Sequence, residues 1–182
     1  AKPHYYRVTL DNGITTEMAP TTRGVHLRFT YPRKGDAYLV LDGYFAMSGM
    51  KIDPAKRQIS GWVNNQRFVN HPETFRNYFV IQFDKPFTFT SGVKENNILP
   101  NETEVQGNHT GAIIGFATQK GEIVHARVAS SFISYEQAEL NLKELGKDSF
   151  DQLVTKGKDI WNREMSKVDV EDDNIDNLRT FY

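Results

Sequence analysis

Neutral imidazole serves both as a metal ligand and as a general base near neutral pH, so the five histidines His4, His26, His71, His109 and His125 are the natural candidates for such chemistry. No two of them stand four residues apart and none lies in an H-E-x-x-H pattern, so zinc ligation has no support. His26 and His125 alternate with apolar residues in extended segments. They are expected either to face outward or to be satisfied by a neighbouring strand. Cysteine is absent, which excludes disulfides, thiolate metal sites and a cysteine nucleophile and leaves the redox compartment open. Neither G-x-G-x-x-G nor G-x-x-x-x-G-K-S/T occurs, so no glycine-rich loop is available to cradle a phosphate. G-x-S-x-G is also missing, and Ser130-Ser131 sits where a strand feeds a helix, a place for capping. Paired carboxylates could still be contributed from distant positions, as in glycosidases. Asp42, Asp53 and Asp84, however, are flanked by Gly, Pro or Lys-Pro and read as turn residues.

One segment has a composition suited to binding. In Gly61-Trp62-Val63-Asn64-Asn65-Gln66-Arg67-Phe68 an indole, amides and a guanidinium stand close together, and sugars are held by such aromatic faces and hydrogen-bond donors. Trp62, Asn65 and Arg67 are therefore the candidate carbohydrate-binding residues. The plainer reading is that Trp62 and Val63 end a strand and Asn64-Asn65 makes a turn. Trp161 belongs to a helical apolar stripe and is expected in a core.

These residues must be positioned by a chain of 182 residues, 38% hydrophobic and 25% charged, which is the composition of a folded domain rather than a disordered one. The 22 basic and 23 acidic residues are interspersed for a net charge of -1, so no field favours a nucleic acid or an anionic membrane. No apolar run is long enough for a membrane span and no signal-peptide pattern is present. The chain opens on Ala1 directly before a strand pattern and closes on helix-like Leu178-Arg179-Thr180-Phe181-Tyr182. Both ends look cut, as in a piece of a larger protein.

The first two-thirds read as short strands. Tyr5 to Leu10 and Ile14 to Met18 flank Asp11-Asn12-Gly13, a strong hairpin signal. Val25, Leu27, Phe29 and Tyr31 alternate with His26, Arg28 and Thr30, the pattern of a half-buried antiparallel strand. Further strands are expected at Tyr38 to Leu41, Met50 to Ile52, Gln58 to Val63, Tyr78 to Phe83, Ala112 to Thr118 and Glu122 to Ser130. Glu95 to Thr110 lacks periodicity and reads as a long surface loop. At Ser134 the period changes: Ser134 and Gln137 form a capping box, Ala138, Leu142 and Leu145 recur at helical spacing, and Gly146 stops the helix. A second helix begins near Ser149 with Phe150, Leu153, Val154, Gly157, Ile160, Trp161 and Met165 on one face. After the acidic stretch Glu171-Asp172-Asp173-Asn174, a third starts at Ile175. The fold class is mainly β, an antiparallel β-sandwich followed by two or three C-terminal α-helices.

The runs Tyr5-Tyr6-Arg7-Val8-Thr9-Leu10, Gly13-Ile14-Thr15-Thr16-Glu17-Met18-Ala19-Pro20 and His26-Leu27-Arg28-Phe29-Thr30-Tyr31-Pro32 resemble glycoside hydrolase family 92, the calcium-dependent exo-acting α-mannosidases. Val128-Ala129-Ser130-Ser131-Phe132-Ile133-Ser134-Tyr135-Glu136-Gln137-Ala138 is similar to that family's passage from the last sandwich strand to the linker helix, and Leu178 to Tyr182 to the opening of its first barrel helix. The resemblance implies a supersandwich-like domain at 1–133, a helical linker at 134–170 and the start of a truncated (α/α)6 barrel domain at 171–182. It implies inverting hydrolysis of α-1,2-type mannosides, in which one carboxyl protonates the leaving oxygen and another activates water. The acid, base and calcium ligands are expected in the barrel beyond Tyr182, and the family's tryptophan-bearing substrate segment upstream of Ala1. No catalytic or metal residue falls on this chain, which alone is expected to be inactive. The implied partners are mannose-containing glycans and the protein's own catalytic barrel, in the periplasm or at the cell surface. The rival readings are a free-standing carbohydrate-binding sandwich and a docking module of a surface assembly.

Overall fold

The computed structural model describes residues 2–44, 47–64 and 75–182. The Asp11-Asn12-Gly13 turn joins β1 (Tyr6–Thr9) to β2 (Thr15–Pro20), which pair antiparallel from Tyr6↔Met18 to Thr9↔Thr15. Gly13 takes φ +85°, open to glycine without strain, and the Asn12 side-chain oxygen accepts the Ile14 amide, so the residue types that signalled the hairpin also close it. The strands β3 (Gly24–Thr30), β4 (Gly35–Asp42), β5 (Met47–Asp53), β6 (Gln58–Asn64) and β7 (Arg76–Phe83) follow. They are succeeded by β8 (Thr90–Lys94), β9 (Asn97–Pro100), β10 (Glu104–Asn108), β11 (Thr110–Thr118) and β12 (Ile123–Ser131).

Among the described residues two antiparallel sheets result: one of eight strands in the order β1-β2-β3-β12-β7-β6-β5-β10, the other of four in the order β4-β11-β8-β9. Their facing sides bury Met50, Ile52, Ile59, Ile81, Phe83, Ile114, Phe116, Val124 and Ala126, the inward half of each alternation. The mainly β sandwich with C-terminal helices stands as the pattern predicts.

The stretch Glu95 to Thr110 is not a loop. It holds the β8–β9 turn, where Glu95 and Asn96 take φ of +49° and +68° as a type I′ hairpin requires, and then β10 on the edge of the large sheet against β5. In β10 only Val105 is buried, so an edge strand with a single core residue shows no periodicity to read.

The outer face of the large sheet is covered by helices. Ser134 caps α1 (Tyr135–Leu142) by accepting the Gln137 amide, and a 3-10 turn (Lys143–Leu145) ends at Gly146, φ +55°. The reciprocal capping box falls one helix later, at Ser149 and Gln152 of α2 (Phe150–Met165). Leu145, Phe150 and Leu153 pack with Ala19 into a second, smaller core. Here the apolar stripe of α2 misleads: only Phe150 and Leu153 are buried in it, whereas Ile160 is 51% and Trp161 42% exposed, so Trp161 is not a core residue among the described contacts. The first turns of α2 meet the sheet and its later turns run past it. In α3 (Ile175–Phe181) no residue is buried.

Candidate functional site

Of the three residues expected to contact sugar, Asn65 and Arg67 lie outside the described residues, as does His71. Trp62 stands on β6 between Tyr78 of β7 and Gly49 of β5, on the outer face of the large sheet. Gly49 is required there: a Cβ would lie 2.7 Å from the indole Nε1 of Trp62, so a side chain at 49 would displace the ring. Arg76 covers the indole as well: its guanidinium carbon sits 3.7 Å from the ring centroid, a cation–π stack. Trp62 is 7% exposed, so its flat face is used internally.

Its edge reaches a cleft of about 310 Å³ between the β6-β5-β10 edge and α1, where Ser60, Lys51, Glu104, Gln106, Tyr135 and Glu139 line the walls. Lys51 and Glu104 pair across the strands at 3.4 Å. Tyr135 packs edge-on to Tyr78 at 4.9 Å, and burial pushes its phenol up, keeping it a hydrogen-bond donor. The cleft can therefore offer polar partners to hydroxyl groups but no open aromatic platform at Trp62.

A second polar constellation holds α2 to the sheet. Arg28 of β3 donates to both carboxylate oxygens of Glu17 on β2, at 2.7 and 2.9 Å, and to Asp151 of α2 at 3.1 Å. Its guanidinium also lies 4.1 Å from the centroid of the Phe150 ring. Tyr5 donates to the same Glu17 at 2.6 Å. The hydrogen bonds from Arg28 hold the Glu17 carboxyl below its usual range, while Glu17 raises the Tyr5 phenol. Arg127 of β12 donates to the Gly146 and Asp148 carbonyl oxygens, satisfying acceptors at the helix junction.

Next to this clamp His26 Nε2 and His125 Nδ1 are 3.1 Å apart, so one histidine is the satisfied partner of the other. His26 is 3% exposed, and burial first and His125 second push its pKa down to about 4. Burial also lowers that of His125. Ninety-nine residues separate the two in sequence, and only the β3–β12 pairing brings them together.

A general acid needs a raised pKa, yet Glu17 is held low by Arg28, Glu122 by Lys85 and Glu164 by Lys167. Asp42, Asp53 and Asp84 serve turns and loops: their carboxylates accept the backbone amides of Tyr44, Lys56 and His125. Among the described residues no group of three or more His, Asp or Glu is placed to hold a metal ion. No helix of the described residues is long and apolar enough to cross a membrane.

The described residues thus form a helix-faced β-sandwich with polar clefts. The profile of the glycosyl hydrolase family 92 N-terminal domain matches residues 1–131, and that of the glycosyl hydrolase family 92 catalytic domain matches residues 137–182. The chain belongs to glycosyl hydrolase family 92. It is similar to the family GH92 inverting mannosidase of Bacteroides thetaiotaomicron VPI-5482, with 33% identity over 94% of this chain and 23% of that one, TM-score 0.85. It is also similar to a family GH92 α-mannosidase of Bacteroides thetaiotaomicron solved with mannoimidazole, at 28% identity over 95% of this chain and 24% of that one, TM-score 0.81. No curated protein matches it. The chain thus spans about a quarter of the length of these mannosidases.

Proposed function

We propose that this chain is the sandwich and helical linker of an exo-acting, inverting α-mannosidase that removes α-1,2-linked mannose from glycans in the periplasm or at the cell surface. The observation that carries this reading is the likeness to an inverting mannosidase across 94% of the chain, together with a catalytic-domain match confined to residues 137–182. On this reading the acid, the base and the calcium ligands belong to a barrel downstream. The task of this chain is to hold the linker at a set angle and to form one wall of the substrate site. The Glu17–Arg28–Asp151 clamp suits that task, because it ties α2 to two strands through charge-assisted bonds that resist sliding. Trp62 would meet sugar through its edge and the polar walls of its cleft, since Arg76 occupies the indole face.

The test is hydrolysis of α-1,2-mannobiose by the whole protein and by the 182-residue chain, each with calcium and with a chelator, following the anomer released. The whole protein is expected to release β-mannose in a calcium-dependent manner and the short chain to release none. Turnover by the short chain would place the acid and base within it and overturn the proposal. Retention of configuration in the whole protein would overturn the inverting assignment.

A further inference from the structure

At the far end of the sandwich from α1, the β1–β2 turn, the β3–β4 connection and the start of β4 enclose an open cleft of about 320 Å³. That volume is at the lower end of the roughly 300–1,000 Å³ of small-ligand sites. Its walls carry Tyr31, Tyr38, Asn12, Arg33, Lys34 and Asp36.

We infer that this cleft is a saccharide-binding site for a neutral hexopyranose unit of an α-mannan chain. The inference rests on the glycan-degrading reading above for the identity of the sugar, and on the cleft itself for the site.

Four observations carry it. First, Tyr31 lines the cleft, and its hydroxyl makes no hydrogen bond to a described residue and is not sealed from solvent. A phenol that opens into the cleft offers one donor and one acceptor to a ligand there. Second, Tyr38 is 64% exposed on the same wall, and no residue covers its ring with a stacking contact among those described. An exposed aromatic ring beside hydroxyl-binding groups offers the apolar face that the C–H side of a pyranose packs on. Third, the polar groups are mixed in sign. Arg33, Lys34 and Asp36 make no ion pair among the described residues, and the Asn12 amide nitrogen is free while its oxygen accepts the Ile14 amide. Donors and acceptors together on one wall suit the hydroxyls of a sugar.

Fourth, the wall is fixed in advance. The Thr118 hydroxyl reaches the carbonyl oxygens of Arg33 and Gly35 at 3.3 and 3.0 Å. Tyr31 is tied through both backbone groups to Glu122 and Gly121. A loop pinned at these points loses little entropy when a ligand settles on it. Gly35, at φ +148°, would find no atom within 4 Å of an added Cβ, which leaves the lip of the cleft open.

The experiment is affinity electrophoresis of the full-length protein in gels containing α-mannan, with Tyr38→Ala and Tyr31→Phe variants, and α-1,2-mannobiose turnover measured alongside. Tyr38→Ala removes a solvent-facing ring and Tyr31→Phe only an unpaired hydroxyl, so both variants are expected to fold. Wild-type protein should be retarded by mannan, and each variant should bind roughly three- to tenfold more weakly, the worth of one ring contact or one hydrogen bond. Wild-type mobility unaffected by mannan, or both variants retarded like wild type, would overturn the assignment. So would stronger retardation by polygalacturonate than by mannan, which would indicate an anion site. Mannobiose turnover judges the mannosidase reading separately: Tyr38-dependent retardation in a protein without turnover would leave the cleft standing and remove the enzyme.

Discussion

The buried His26–His125 pair makes stability depend on pH in a defined window. In the unfolded chain His26 takes up a proton near its ordinary value of 6.5, but in the folded protein it does so only at about 4. Between those values the unfolded state binds more protons, so stability is fully present above about pH 6.5 and is lost as the pH falls toward 4. At about 1.4 kcal/mol per pH unit, and with titration incomplete at both ends, His26 alone accounts for a loss of roughly 2.5 kcal/mol between pH 7 and pH 4.5. The cause is geometric. The ring is sealed beneath Phe150 at 5.5 Å, its Nε2 meets another imidazole at 3.1 Å, and Arg127 and Arg28 add positive charge nearby. The assay is urea unfolding of wild type and His26→Gln at intervals from pH 7 to pH 4.5, comparing how the two free energies change with pH. The comparison cancels the carboxylates, which titrate alike in both proteins. His26→Gln is expected to be less stable at pH 7 but to lose about 2.5 kcal/mol less on acidification. Parallel curves would refute the reasoning, because they would mean that His26 is protonated in the fold as readily as in the open chain.

Arg28→Ala leaves Glu17 as a largely buried carboxylate without its cation and releases Asp151 of α2. Partial exposure of Arg28 puts the loss near the lower end for such pairs, about 3 kcal/mol, with faster proteolysis within residues 146–165. Unchanged urea midpoints and cleavage rates would show that the apolar contacts of Phe150 and Leu153 hold the helix alone. Trp62→Ala should behave as a core truncation and cost roughly 3–5 kcal/mol in urea unfolding. A Trp62→Ala protein as stable as wild type would show that the indole does not hold the sheet together.

The strands that alternate strictly were legible in the sequence because one face of each is buried and the other is not, as in Val25 to Tyr31. Turn chemistry was legible at Asn12-Gly13 for the same local reason: the residues that favour the turn also make its hydrogen bonds. The Ser134 and Ser149 caps follow from the next three residues alone. Edge strand β10 escaped notice because it contributes one buried residue, and the stripe on α2 overstated burial because the sheet ends beneath its early turns.

The sites divide in the same way. Composition could nominate Trp62 as an aromatic beside amides, but whether its face is free depended on Arg76 across the β6–β7 pair, fourteen positions away. Similarly, nothing near Tyr31 announces that its hydroxyl opens into a cleft, since Asn12 and Tyr38 join it only when the first hairpin and β4 meet at one end of the sandwich. The strand-then-helix order, the turns and the caps were readable from the chain alone, because those depend on residue type and short spacing, and the family from its resemblance. Tertiary structure alone decided which faces stay open and which charges and imidazoles meet, because partners such as His26 and His125 come together only through strand pairing across the sheet.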